Sequence, residues 1–270
     1  MVKIFESVQS HYGLNNVVDR ILKALGNESC EVANLTVESL QKFDQLHGGG
    51  LKSTVRQAEI AGICQGMYIL DAGCGVGGAA RYFAKTLNCR VEAFDLSPEF
   101  VEAAEILSVL CGLLDQISYR QGSVTELPYA DEMFDLVWSQ NVTMNVDNKN
   151  SMFAEAFRVL KPGGRYAISH AAQGVGGEPI YPLPWAREPS YSFLGRPEEL
   201  LTTLKNAGFR VIESLSDVGK DSTKKTSPSG AIELIPVMGD DILERLANSV
   251  RSSQEERLVG MMVVAERPKI

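Results

Sequence analysis

Apolar positions change their spacing near residue 67, and the change divides the chain in two. Before it, they recur at helical intervals. Val17, Val18, Ile21, Leu22 and Leu25 follow Asn15-Asn16 and share one helix face, and Gly26-Asn27 stops that helix. Thr36 to Leu46 reads as a second helix, with Thr36 as its cap and Glu38 and Ser39 in its first turns. Gly48-Gly49-Gly50 then forces a flexible loop, and Lys52 to Ile63 reads as a third helix ending near Gly62. After residue 67, short β-rich apolar runs alternate with helical stretches. The runs are Met67–Leu70, Val91–Phe94, Ile117–Arg120, Phe134–Trp138, Tyr166–Ser169, Phe209–Glu213 and Leu258–Ala265. Between the first five lie helices at Gly78–Leu87 and Pro98–Leu110, a short link, and a helix at Ser151–Leu160. Fully apolar strands alternating with helices predict a parallel sheet covered on both faces. The last two strands are separated by a polar segment, Asp217–Ser229, and a helix near Asp240–Ser249, so a final antiparallel hairpin is expected. Within this stretch Thr223–Gly230 reads as a surface loop.

The most informative stretch is Leu70-Asp71-Ala72-Gly73-Cys74-Gly75-Val76-Gly77-Gly78. A buried strand runs into a glycine loop that opens a helix. Glycines there permit positive φ and let a ligand approach the backbone, and the helix N-terminus offers free N–H groups. Gly73, Gly75 and Gly78 satisfy the G-x-G-x-x-G spacing of dinucleotide sites, which is weak by itself. Asp71 at the strand's end would repel a pyrophosphate but can hold an ammonium group. Asp95, ending the next strand, can accept both hydroxyls of a ribose. There is one nucleotide-binding half and then a terminal hairpin. A ligand with an amino acid at one end and a nucleoside at the other, S-adenosylmethionine, fits this combination.

The chain thus resembles the class I S-adenosylmethionine-dependent methyltransferases. The resemblance runs through Leu70–Gly77, Ala93-Phe94-Asp95-Leu96-Ser97-Pro98, Gln121–Tyr129, Phe134–Gln140 and Arg158–Gly164. It implies a Rossmann-like α/β fold, a seven-stranded sheet of order 3-2-1-4-5-7-6 with strand 7 antiparallel and helices on both faces. Residues 1–66 then form a helical lid and 67–270 the cofactor domain, with an acceptor-site insert around 171–197. The resemblance places Asp71, Ala72, Gly73, Cys74, Gly75 and Gly77 along the methionyl and ribose parts of the cofactor, Cys74 being a small loop residue and not a nucleophile. It sets Asp95 on the ribose hydroxyls, Leu96 and Ser97 beside the adenine, Gly122, Ser123 and Val124 at the adenine edge, and Ser139 and Gln140 after the fourth strand. The family often has an acid where this chain has Ser123. Outside the core, His47-Gly48-Gly49 and the insert with Pro184-Trp185 and Ser192-Phe193-Leu194 resemble the small-molecule branch: sarcosine/dimethylglycine, tocopherol and quinone-precursor methyltransferases. That branch suits natural product biosynthesis.

Methyl transfer needs alignment of the acceptor with the activated carbon, exclusion of water, and a base if the acceptor is protic. The chain has three histidines, His11, His47 and His170, and all fall beside the expected pocket. His47 or His170 is the better base, while Tyr12, Asn141, Met144, Trp185 and Phe193 are candidates for contact with the acceptor. Asn141 stands where some relatives carry His or Asp. Composition narrows the field further. The net charge of −8 and the absence of a basic block disfavour nucleic acid as partner. Five cysteines without a C-x-x-C pair suggest free thiols, not a zinc site, and no metal is expected. The first residues lack an apolar leader and no run is long enough to span a bilayer, so the reading is a cytoplasmic enzyme. An N-terminal helix pair suits a homodimer contact. The rival readings are an NAD-dependent oxidoreductase using the same glycine loop, a methyltransferase acting on RNA or protein, and a binding protein that kept the fold.

Overall fold

The structure, a computed structural model, describes residues 17–26, 35–47, 49–216 and 232–269. His11, Tyr12, Asn15-Asn16, Cys30 and the polar segment Asp217–Ser229 lie outside the described residues. Three helices precede the sheet: α1 (Val17–Ala24), α2 (Val37–Leu40) and α3 (Gly50–Ala61). The remaining elements are β1 (Tyr68–Ala72), α4 (Gly78–Leu87), β2 (Arg90–Asp95), α5 (Pro98–Leu110), β3 (Ile117–Gln121), β4 (Phe134–Gln140), α6 (Lys149–Val159) and β5 (Leu160–Gln173). They continue with α7 (Pro197–Asn206), β6 (Arg210–Ser216), α8 (Ile235–Met238), α9 (Ile242–Gln254) and β7 (Leu258–Glu266).

The strands form one sheet of order β3-β2-β1-β4-β5-β7-β6. β1 to β5 are parallel, and β7 runs antiparallel to both neighbours. Strand alternation sends successive side chains to opposite faces. Leu70, Phe94, Val137, Tyr166 and Ile168 pack under Phe153 of α6 and Leu204 of α7. Ile69, Val91, Leu136 and Trp138 pack under Phe83 of α4 and Ala61 of α3. A third cluster joins the N-terminal helices to the rest: Ile21, Leu40 and Phe43 meet Val76 of the glycine loop and Leu107 of α5.

The parallel order has a consequence for function. All five parallel strands point their carboxyl ends to one edge, and the switch from β1–β2 to β4 opens a crevice there. Local signals hold the elements at that edge. Ser97 caps α5, accepting from Phe100 N–H at 3.3 Å, with Pro98 at the first helical position. Gly77 caps α4 at φ +83°.

Three elements differ from the sequence expectation, one of them the single-turn helix α8 (Ile235–Met238), which the apolar pattern did not announce. The second helix is only Val37–Leu40, although Thr36 caps it as expected, in a reciprocal pair with Ser39. A turn follows, held by Phe43 and Asp44 N–H on the Leu40 carbonyl, and it delivers Asp44 and Gln45 into the interior, where both are buried. A helix absent from the sequence reading, α7, covers the sheet between β5 and β6. Its signals were Pro197 at the first turn and Glu198 and Glu199 beside it.

Candidate functional site

The glycine loop, residues 73–77, leaves β1 and turns over the carboxyl edge. Gly73 sits at φ +94° and donates its N–H to the Phe94 carbonyl at 2.7 Å. A Cβ on Gly73 would run into the Val142 methyl, so this position accepts only glycine. Cys74 N–H reaches the same carbonyl at 3.1 Å, and burial pushes its thiol well above the ordinary value. Ala72, 3% exposed, closes β1 behind it.

Asp95 is bound to the loop it faces. One carboxylate oxygen accepts Gly75 N–H at 2.8 Å and the other accepts Ser97 N–H at 2.9 Å. Each oxygen keeps lone pairs for a further donor. Burial raises the Asp95 pKa, and the N–H groups of Ser97, Gly75 and Leu96 oppose the rise. Asp71 lies under the loop at 1% exposure, with Oδ2 buried and without a partner. Burial first, then the charge of Asp95, pushes its carboxyl up to about 7. Leu96 is exposed at 69%, so its side chain is free to lie on a flat ring. Gly122 donates to the Asp95 carbonyl at 2.9 Å, and a Cβ there would press on the Phe94 ring. Ser123 is turned onto its own loop, 2.7 Å from the Thr125 hydroxyl, while Val124 packs against the core. Asp71, the glycine loop, Asp95 and Leu96, together with Gly122, thus converge on one crevice.

β4 ends at the same edge. Ser139 is fully buried, and Gln140 presents a buried amide nitrogen without a partner. Asn141 adopts φ +57° and donates its N–H to Ser169 O at 2.7 Å, turning the chain over Gly73. His47, from the segment before α3, is brought to Gln140 through one hydroxyl. Thr54 Oγ1 donates to Gln45 Oε1 at 2.7 Å and lies 3.2 Å from both Gln140 Oε1 and His47 Nε2. With the Thr54 proton on Gln45, His47 Nε2–H donates to Thr54 and Nδ1 carries the free lone pair. Burial lowers the His47 pKa to about 4.

Asp44, next to Gln45, pairs with Arg81 of α4 at 2.9 Å, the two side chains being 1% and 0% exposed. Arg81 also donates to the Val76 carbonyl at 2.8 Å, directly beneath the glycine loop. A Cβ on Gly78 would run into the Asp44 carbonyl, so the segment before α3 lies on the loop itself. Burial pushes the Asp44 carboxyl up while the Arg81 charge pulls it down. Nothing in the sequence signals this pair, whose members are 37 residues apart.

His170 is not with His47. Strand alternation turns it to the face covered by α6 and α7, where it lines a cavity of about 240 Å³ with Thr143, Met144, Lys149 and Phe193. It is 7% exposed, and burial together with the charge of Lys149 lowers its pKa to about 4. Met144 is buried and its carbonyl accepts Phe193 N–H at 2.8 Å, closing the insert onto the loop after β4. Trp185 is tied within the insert, Nε1 donating to Ser192 Oγ at 2.9 Å. Cys64, Cys74, Cys89 and Cys111 are free thiols. Among the described residues no cluster could hold a metal ion, and no helix is long and apolar enough to cross a membrane.

Residues 70–168 match the model of a methyltransferase domain. Phosphoethanolamine N-methyltransferase 1 of Zea mays is 29% identical over 228 residues, covering 81% of this chain and 45% of the relative. The chain spans less than half the length of that curated relative. Among solved structures, the [4+2]-cyclase SpnF superposes with a TM-score of 0.69 at 21% identity, covering 94% of this chain and 93% of its own. A putative sarcosine dimethylglycine methyltransferase from Galdieria sulphuraria gives a TM-score of 0.66 at 20% identity, covering 94% and 99%. Both structural likenesses concern the fold.

Proposed function

Because this chain belongs to the class I S-adenosylmethionine-dependent methyltransferases, we propose that it moves the methyl group of S-adenosylmethionine onto a small organic acceptor, at nitrogen or oxygen ahead of carbon. The observation that carries the reading is the grip around Asp95: a carboxylate fixed by two loop N–H groups, each oxygen still able to accept a ribose hydroxyl. The residues fit the cofactor in other respects. The unpartnered Asp71 oxygen suits an ammonium group, directly or through water, and the Gln140 amide suits a polar edge. The side-chain-free face of the glycine loop suits close approach of the methionyl chain.

S-adenosylmethionine, when bound, supplies a carbon already activated by positive sulfur. The protein's task is to align the acceptor and keep water out, worth up to about 7–11 kcal/mol in well-oriented cases. The segment before α3 acts as the cap, pinned to the loop by Asp44–Arg81. His47 Nδ1, uncharged near neutrality, is placed to take a proton from a protic acceptor above Gln140. His170, turned to the other face, serves acceptor binding and not proton transfer. The insert around 171–197 borders the acceptor, with Met144, Trp185 and Phe193 as apolar walls and Asn141 at the rim. The reading extends to a cytoplasmic enzyme of natural product biosynthesis, and the acidic net charge supports a small acceptor over nucleic acid.

The test is calorimetry with S-adenosylhomocysteine on the wild type and Asp95→Ala. A loss of at least tenfold in affinity is expected for the variant, the loss of two hydrogen bonds to a charged acceptor. Equal affinity removes the ribose assignment, and binding of NADH instead establishes the oxidoreductase reading. The likeness to a [4+2]-cyclase shows that the fold also carries other chemistry, so turnover is to be measured as methyl transfer.

A further inference from the structure

The cavity behind His170 belongs to neither the glycine loop nor the His47 network. It lies where the loop after β4, the end of β5, the insert and the first turns of α7 meet. Its volume of about 240 Å³ leaves room for a small organic group. Two of its polar atoms are buried and unpartnered: His170 Nδ1, on a side chain 7% exposed, and Thr143 Oγ1, on a residue 0% exposed. Native proteins rarely leave such atoms unsatisfied, since each costs about 1–3 kcal/mol, so a ligand site is indicated.

The chemistry of the lining selects the ligand. Lys149 Nζ donates to Val146 O at 2.9 Å and Phe193 O at 2.6 Å, which leaves one N–H of three. Burial lowers the Lys149 pKa, and the charges of Asp147 and Glu199 oppose the fall. Thr143 has a hydroxyl proton to give, and neutral His170 has one ring N–H. The Thr203 proton is already committed to the Glu199 carbonyl, and one Glu199 carboxylate oxygen to Arg196 N–H. Three donors therefore line the cavity, with the Lys149 cation facing the carboxylate of Glu199 in the same lining, and an acceptor of hydrogen bonds bearing negative charge satisfies the donors and restores the ammonium's missing contact. Met144 and Leu200 supply apolar walls for a short hydrocarbon part.

We propose that this cavity seats the methyl acceptor by an anionic group, a carboxylate or a phosphate, held by Lys149, Thr143 and His170. The proposal rests on the methyl-transfer reading only in naming the occupant as acceptor. The substrate class is thereby a small organic acid or phosphate monoester whose reacting atom lies away from the charged end.

The test follows the histidine ring C–H resonances of the full chain by NMR while inorganic phosphate, acetate or neutral acetamide is added. One resonance, identified by its absence in His170→Asn, is expected to move with phosphate or acetate and not with acetamide. The tighter of the two anions names the group. Lys149→Gln is expected to weaken the anion at least tenfold, Lys149→Arg to restore most of it, and both to leave S-adenosylhomocysteine affinity within about twofold. No movement with either anion, an equal response to acetamide, or unchanged binding in Lys149→Gln overturns the proposal. Failure of S-adenosylhomocysteine to bind while the anion response persists removes the methyl-transfer reading and supports the anion site on its own.

Discussion

The Asp44–Arg81 pair makes the sharpest quantitative demand on this structure. In Arg81→Met the guanidinium is lost from a site with no exposure, where it donates to Asp44 at 2.9 Å, Val76 O at 2.8 Å, Ser108 Oγ at 3.3 Å and Ala104 O at 3.4 Å. Removing one member of a buried pair strands the other and costs about 3–5 kcal/mol. The Val76 carbonyl loses a charged donor as well, which adds toward the top of that range. Against a total of about 5–15 kcal/mol this is a large fraction. Urea unfolding at pH 7, with the slope checked for constancy, reads it directly. The deficit has a pH signature. Without Arg81, the Asp44 carboxyl titrates further above its unfolded value, so the unfolded chain holds fewer protons than the folded one between those values. The variant therefore regains stability as pH falls toward the unfolded carboxylate pKa, and its gap to the wild type narrows. Arg81→Met with Asp44→Asn should recover part of the loss at pH 7. A deficit below about 1 kcal/mol, or one independent of pH, would refute the reasoning.

Three further outcomes follow from the site. Gly73→Ala, at φ +94° with Val142 in the way, is expected to lose about 1–3 kcal/mol of stability and most S-adenosylhomocysteine binding; thermal melts and calorimetry check both. His170 is held near a pKa of 4, so between 4 and 6.5 the unfolded state binds more protons; stability present above 6.5 is lost as pH falls, by up to roughly 3 kcal/mol for this histidine, and His170→Asn should make that part of the urea midpoint profile shallower, buried His47 keeping its own share. Asp71 sits near 7 before binding, and a nearby ammonium favours its charged form. Cofactor affinity is expected to rise with pH through 7 with release of a proton, seen as a binding heat that depends on the buffer's ionisation enthalpy; a buffer-independent heat would remove Asp71 from the ammonium site.

What the sequence made legible was what backbone periodicity and local chemistry encode. Five of the seven apolar runs lie within their strands, while Met67 and Phe209 each stand one residue ahead of β1 and β6, and Gly78–Leu87 and Pro98–Leu110 are helices with those bounds. The glycine loop and Asp95 come together because both end adjacent parallel strands, a placement that strand order alone dictates. Contacts made across long sequence separations were not legible. Thr54 of α3 bridges Gln45 to Gln140 at the end of β4, and Gln140 lies 86 residues beyond Thr54; the two histidines favoured as bases fall on opposite faces. His170 could have been assigned to its face by counting alternate residues from Tyr166, but what covers it came from α7, a helix hidden by the irregular insert before it. The second helix gives way after Leu40 to a turn, whose Asp44 bonds its N–H back to the Leu40 carbonyl at 3.1 Å and pairs its carboxylate with Arg81, a contact no local pattern announces.

The position of β7 governs the order in which the sheet can be completed. Its residues come last along the chain, yet it fills the gap between β5 and β6. During synthesis, β6 emerges with no hydrogen-bonding neighbour, and the flank of β5 that will face Met261 to Ala265 stays open until the final strand leaves the ribosome. Ending translation before residue 258 would leave two unsatisfied strand edges beside each other, an invitation to pair with another molecule instead.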